Sequence, residues 1–116
     1  MITDKEIALK EVRQDGLRLQ FLSDELKNDR EVVLEAVKNL FFSFYYASYE
    51  LRNDKEIVLE AVKRNGLALQ YASKELRNDK EIVLEAVKNS FFSFAYASFE
   101  LRNDKEFFSM LFNLCD

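Results

Sequence analysis

The chain has no histidine and no proline, only two glycines and a single cysteine. The missing histidine removes the side chain that most often moves protons or binds metals near neutral pH. No G-x-S-x-G elbow and no phosphate-cradling P-loop takes its place. Catalysis therefore has little to build on, and the expectation is a protein without enzyme activity or cofactor. Cys115, being alone, cannot close an internal disulfide, which fits a reducing compartment. It reads as an incidental apolar residue. No apolar run approaches the ~18 to 20 residues that a bilayer-spanning helix needs. The opening segment MITDKEIALK lacks the basic and apolar regions of a signal peptide, so a cytoplasmic location is expected. The net charge of -4, with acids beside every cluster of Lys and Arg, argues against a nucleic-acid partner.

What the chain does have is repetition. Asp4, Asp29, Asp54, Asp79 and Asp104 are spaced by 25 residues, each followed by Lys or Arg and then Glu. The stretch Glu50 to Lys63 recurs unchanged at Glu75 to Lys88. A fixed period of this length marks an array whose units bury apolar surface only against neighbours. The units run 3–27, 28–52, 53–77 and 78–102, followed by a closing segment 103–116. Thr3, Asn28, Asn53, Asn78 and Asn103 each precede a Glu by three residues, ahead of an apolar run. That pattern predicts a capping box with Thr or Asn at the N-cap and Asp at the first helical position.

A first helix follows, with Val58, Ala61 and Val62 as its stripe, widened by Ile57 and Leu59. Gly16 and Gly66 are expected to end it, where left-handed backbone is cheapest. A second helix then runs through Leu67 to Leu76, burying Leu69, Ala72 and Leu76, matched in unit one by Leu19, Leu22 and Leu26. Dominance of Glu, Lys, Ala and Leu, with no L-x-x-L-x-L strand, excludes a leucine-rich repeat. The expected fold is an all-α solenoid of helix pairs, about nine helices with the one from Asp104.

The residues N-D-[KR]-E-[IV]-V-L-E-A-V-K, followed by G-L-A-L-Q-Y-A-S-x-E-L-R, resemble the tandem repeats called domain of unknown function 4116. Asn53 to Arg77 matches throughout; Asn28 to Lys38 and Asn78 to Lys88 match the first half. The resemblance covers nearly the whole chain and implies helical repeats, with no catalytic residue to carry across. Units two and four depart from it, with Phe41 and Phe91 in place of the turn glycine.

Variation among the units concentrates at three positions. They are Gly16, Gln20 and Asp24 in unit one and Gly66, Gln70 and Lys74 in unit three, but Phe41, Tyr45 and Tyr49 in unit two and Phe91, Ala95 and Phe99 in unit four. On one continuous helix, i, i+4, i+8 spacing places each trio on one face. Odd units would then present a polar face and even units an aromatic one, a super-period of 50 residues. Phe42, Phe44, Phe92 and Phe94 replace leucines and are expected to enlarge the core. The five trio aromatics carry roughly 750 to 1,250 Å², more than monomers ordinarily leave exposed. Burial within the chain, self-association, or a groove for a protein or peptide partner would each cover them. The last segment, Phe107 to Asp116, is largely apolar and is expected to dock on unit four, to form a dimer contact, with Phe108 and Phe112 as candidates, or to mark a chain cut from a longer array.

The resulting expectation is a non-catalytic scaffold for protein–protein interaction or assembly. Its candidate contact residues are Phe41, Tyr45, Tyr49, Phe91, Phe99, Phe108 and Phe112, with no metal and no membrane involved. The alternative is an acidic-site enzyme or divalent-metal binder, which the N-D-x-E quartets would have to serve. They lack the ligand spacing and central glycine of an EF-hand loop. Lys27, Arg52, Arg77 and Arg102 are expected to form exposed ion pairs with the Asp ladder.

Overall fold

A computed structural model describes residues 2–114; Cys115, on which the redox reading rests, lies outside them. The described residues form eight α-helices and five 3-10 helices. The long helices are α1 (Lys5–Gln14), α3 (Arg30–Asn39), α5 (Lys55–Arg64), α6 (Lys80–Asn89) and α8 (Lys105–Leu114). Between them lie the short helices α2 (Asp24–Lys27), α4 (Tyr49–Arg52) and α7 (Phe99–Arg102). The long helices begin 25 residues apart and stack side by side into a rod of 48 × 24 × 17 Å. Its radius of gyration is 14.9 Å, above the roughly 13 Å of a compact domain this long. One apolar cluster runs the length of the rod, from Ala8 to Leu111. Ile57, Val58, Ala61 and Val62 are buried in it as their periodicity predicts, as are Leu19, Leu22, Leu26, Leu69 and Ala72.

Each long helix is capped one residue later than the capping-box pattern predicts. The N-caps are Asp4, Asp29, Asp54 and Asp79, whose carboxylates accept from the amides of Ile7, Val32, Ile57 and Ile82 at 3.1 Å. Asp104 accepts in the same way from Phe107 at 2.9 Å. Glu therefore sits at the second helical position and makes no capping box. The asparagines are used elsewhere: Asn28, Asn53 and Asn103 close the preceding short helices. Asn28, Asn53 and Asn78 also accept from the hydroxyls of Ser48, Ser73 and Ser98, twenty residues on in the same unit, at 2.5 to 2.6 Å.

The expected second helix is also made differently. Gly66–Tyr71 is a 3-10 helix, and the chain then extends at Ala72 before turning again. The same break falls at Leu22, Ala47 and Ala97. Serine causes it. Ser23, Ser48, Ser73 and Ser98 accept from the amide three residues on, as N-cap serines do. Three of their own amides reach back across the array, Ser48 to the Lys27 carbonyl, Ser73 to Arg52 and Ser98 to Arg77, at 2.8 to 2.9 Å. A backbone bond to the preceding unit and a fresh cap together outweigh one more turn of α-helix.

The glycines do not adopt left-handed backbone; no described residue has positive φ. They are needed for closeness. A Cβ on Gly16 would lie 2.4 Å from the Ala36 carbonyl oxygen, and one on Gly66 would lie 2.2 Å from that of Ala86. Asn39 locks this approach, accepting from the Gly16 amide at 2.7 Å and donating to the Arg13 carbonyl at 3.2 Å. Asn89 repeats the arrangement with Gly66 and Lys63. Units one and two, and units three and four, thus pack through a glycine-asparagine clasp. At the other junctions Phe41 and Phe91 stand where the glycine would be, and the long helices share less contact. The 50-residue super-period is an alternation of close and aromatic-filled junctions.

Candidate interaction surface

One edge of the rod carries a charge ladder. Lys5 bridges Asp29 and Glu31 at 3.0 and 3.2 Å, Arg30 bridges Asp54 and Glu56 at 2.7 and 3.2 Å, and Lys55 bridges Asp79 and Glu81 at 3.1 and 2.9 Å. Lys80 reaches Asp104 at 3.9 Å. The Asp ladder is therefore served by the bases inside the quartets, not by Arg52 and its counterparts. Arg52 and Arg102 instead donate to the carbonyls of Ala47 and Ala97. Exposed pairs of this kind contribute little each. Partial burial works to raise the pKa of Asp29 and of Asp54, but the capped amides and the facing Lys5 or Arg30 outweigh it and hold both below the ordinary carboxylate range.

That sets the sign of an acid effect. A carboxylate whose folded pKa is depressed contributes stability that is present above about pH 4 and lost as pH falls through the folded value. The urea midpoint is expected to drop between about pH 5 and about pH 2.5. Asp29→Asn combined with Asp54→Asn keeps a capping oxygen at both sites and should flatten that decline; an unchanged slope would assign it to other carboxylates.

A second column, missed from sequence, is aromatic. Phe21, Tyr46, Tyr71 and Tyr96 share one repeat position. Burial pushes the Tyr71 hydroxyl pKa up, with Tyr96 and Tyr46 adding to it from either side. The signal was periodicity itself: an aromatic held at one position in all four units.

The trios do not form the faces that α-helical spacing predicts. Phe41–Tyr46 is a 3-10 helix with about three residues per turn, so Phe41 and Tyr45 diverge, and Tyr49 belongs to the separate helix α4. Phe41 is half-buried against Phe42, with ring centres 5.3 Å apart. Tyr45 is exposed but stacks edge-on with Tyr46 and Tyr71 at 5.2 and 5.9 Å. Tyr49 donates its hydroxyl to Glu75 at 3.0 Å and lies under Arg52. That bond to Glu75 raises the Tyr49 pKa. Phe99 is exposed at the rim of a cleft of about 450 Å³ between residues 74–78 and 97–102. The cleft holds Lys74, Arg77 and Arg102, but Glu75 and Glu100 face them, so it has no strong charge of one sign. Arg77 Nε is buried there without a hydrogen-bond partner.

The remaining aromatics converge at one end. Helix α8 docks on unit four through Phe107 and Leu111, both fully buried. Its other face carries Phe108 and Phe112. The counterparts of Phe108 are Ala8, Val33, Val58 and Val83, and those of Phe112 are Val12, Val37, Val62 and Val87, all buried. Yet Phe108 is 47% exposed and Phe112 63%. The 3-10 helix Phe91–Tyr96 joins the same patch, with Phe91 packed on Phe94 at 6.3 Å and Phe94 on Phe108 at 6.1 Å. Phe44 enlarges the core as expected, but its counterpart Phe94 is only half-buried and Phe92 is 83% exposed.

Unit one carries charge on the face away from unit two, which sequence reasoning also missed. Ala36 and Ala86 face the preceding unit across the clasp glycines. At their position unit one has Glu11, and where the others bury Ser43, Ala68 and Ser93 it has Arg18. The Arg18 guanidinium donates to the Glu11 carboxylate and, at 2.9 Å, to Gln14. Unit one thus carries an ion pair where the inner units bury alanine and serine, while Phe108 and Phe112 of α8 are exposed.

Among the described residues no three His, Cys, Asp or Glu side chains are grouped to hold a metal, and no helix is long and apolar enough to cross a membrane. The stacked units define a short α-helical solenoid. The model of the family described as Domain of unknown function (DUF4116) matches residues 4–52, 41–77, 54–102 and 79–114, and the chain belongs to that family. Comparison with curated proteins and with solved structures gives no match.

Proposed function

We propose that the chain is a non-catalytic interaction scaffold, acting in a reducing, cytoplasmic compartment, with the exposed face of α8 as its contact surface. The observation that carries this reading is the exposure of Phe108 and Phe112 at positions that four preceding units bury. Apolar groups left at a stacking face gain by being covered, at about 25 cal/mol per Å². A protein or peptide partner, or another copy, would cover them. Of the even-unit aromatics, Tyr45 and Tyr49 already engage neighbouring side chains, and Phe99 adds its exposed ring at the cleft between residues 74–78 and 97–102.

Phe108→Glu with Phe112→Glu tests the reading. The double variant should keep its helical circular dichroism, with a thermal midpoint lowered only by the loss of the Phe108–Phe94 contact, while losing association. If it unfolds instead, the face is the chain's own core and the reading fails.

A further inference from the structure

We propose that the rod is two stiff blocks, units one with two and units three with four, joined by a hinge where α3 meets α5. In a stacked array each unit is held only by its neighbours, so the weakest junction decides where the array moves. One kind of backbone bond crosses all three junctions, from the amides of Ser48, Ser73 and Ser98 to the carbonyls of Lys27, Arg52 and Arg77, at 2.9, 2.9 and 2.8 Å. The charge ladder crosses all three as well, through Lys5, Arg30 and Lys55. Neither feature sets one junction apart.

The clasp does. Asn39 ties unit two to unit one, and Asn89 ties unit four to unit three, each by two hydrogen bonds to backbone atoms of the preceding unit. The corresponding pair at the middle junction is Phe41 and Arg64. Arginine carries donors only, so Arg64 cannot accept from a neighbouring amide as the asparagines do. The 3-10 helices differ in the same sense. Asp15 and Asn65 cap those of units one and three, accepting from the amides of Leu17 and Leu67 at 3.0 Å, while Leu40 gives Phe41–Tyr46 no side-chain cap. Helix α5 rests less on Phe41–Tyr46 than α3 does on Gly16–Phe21 or α6 on Gly66–Tyr71. The middle junction has instead an edge-on contact between the rings of Tyr45 and Tyr71 and the hydrogen bond between the exposed side chains of Tyr49 and Glu75. A ring contact tolerates rotation that two directional hydrogen bonds resist. The apolar cluster continues through the junction, so the blocks rock on it and do not part. Such a hinge sets the angle between surfaces on the two blocks, whichever of them binds a partner.

Amide hydrogen exchange of the full chain, followed residue by residue by NMR, tests the hinge. An ordinary array frays at its ends and protects its middle most. Here the central Ser73 amide should exchange about tenfold faster than those of Ser48 and Ser98, because the two hydrogen bonds of a clasp shift an opening equilibrium by at least that factor. Phe41→Gly with Arg64→Asn writes the clasp pair into the middle junction and should bring Ser73 to the level of the other two. Asn89→Ala removes the clasp between units three and four and should make Ser98 exchange as fast as Ser73. In a Cys115→Ser background, spin labels at Arg13→Cys and Lys88→Cys, both exposed and one in each block, should give a broad distance distribution that Phe41→Gly with Arg64→Asn narrows. A Ser73 amide as protected as Ser48 and Ser98, a Ser98 amide unmoved by Asn89→Ala, or a narrow distribution in the parent would each overturn the proposal. If the Phe41→Gly, Arg64→Asn variant fails to fold, the ranking of the three serine amides in the parent still decides.

Discussion

Replacing Gly66 with alanine is expected to destabilise the chain by about 1–3 kcal/mol, and replacing it with phenylalanine by more. The added Cβ would fall 2.2 Å from the Ala86 carbonyl oxygen, a backbone atom that cannot rotate away. Relief requires α6 to move off α5, and that movement breaks the hydrogen bond from the Gly66 amide to Asn89 and the one from Asn89 to the Lys63 carbonyl. The residues most affected, Val62, Val83 and Ala86, are fully or almost fully buried at this junction. Propensity alone points the other way, because alanine restricts the unfolded chain more than glycine and Gly66 has no positive φ to protect. Urea titration of Gly66→Ala therefore separates the two effects. A neutral or stabilised variant would show that the close junction yields without cost. Phe41→Ala, at the same position in an aromatic-filled junction, should cost less, because Phe41 is only half-buried.

The contrast shows which parts of this fold could be read from the chain. The period and the buried stripe Ile57, Val58, Ala61 and Val62 are local, and periodicity reports them directly. The alternation of units is legible too, since Gly16 and Gly66 stand opposite Phe41 and Phe91. Its cause is not, because the carbonyl that forbids a side chain at Gly16 belongs to Ala36, twenty residues on. The break before Ser73 was hidden for the same reason. A-S-K-E-L reads as helix until the Ser73 amide is seen to bond the Arg52 carbonyl in the preceding unit. Asn53 and Asp54 both make good caps by type, and the Ser73 hydroxyl settles which is used. At the candidate surface, Phe108 and Phe112 were legible as apolar residues in a terminal segment. Tyr45 and Tyr49 were grouped with Phe41 by an α-helical count that a 3-10 helix does not obey. Glu11 was visible all along as an acid in the place of Ala36, Ala61 and Ala86. Only the direction of stacking places that acid, with Arg18, on the face of unit one away from unit two.

Removing that ion pair should change the assembly without changing the fold. Glu11→Ala with Arg18→Ser gives unit one the residues that inner units bury at those positions. The ion pair is more than a third exposed on average, so its loss should shift stability by less than about 1 kcal/mol. The N-terminal face, which already presents a half-exposed Ile7, then becomes a second stackable surface. A chain with two apolar stacking faces can join head to tail, and heterologous contacts of that kind extend into open arrays. Sedimentation should show species that grow with concentration beyond those the parent forms. Adding Phe108→Glu and Phe112→Glu should abolish that growth, since one of the two faces is again charged. If Glu11→Ala, Arg18→Ser stays at the parent's size over the same concentrations, the Glu11–Arg18 pair is not what keeps that face from stacking.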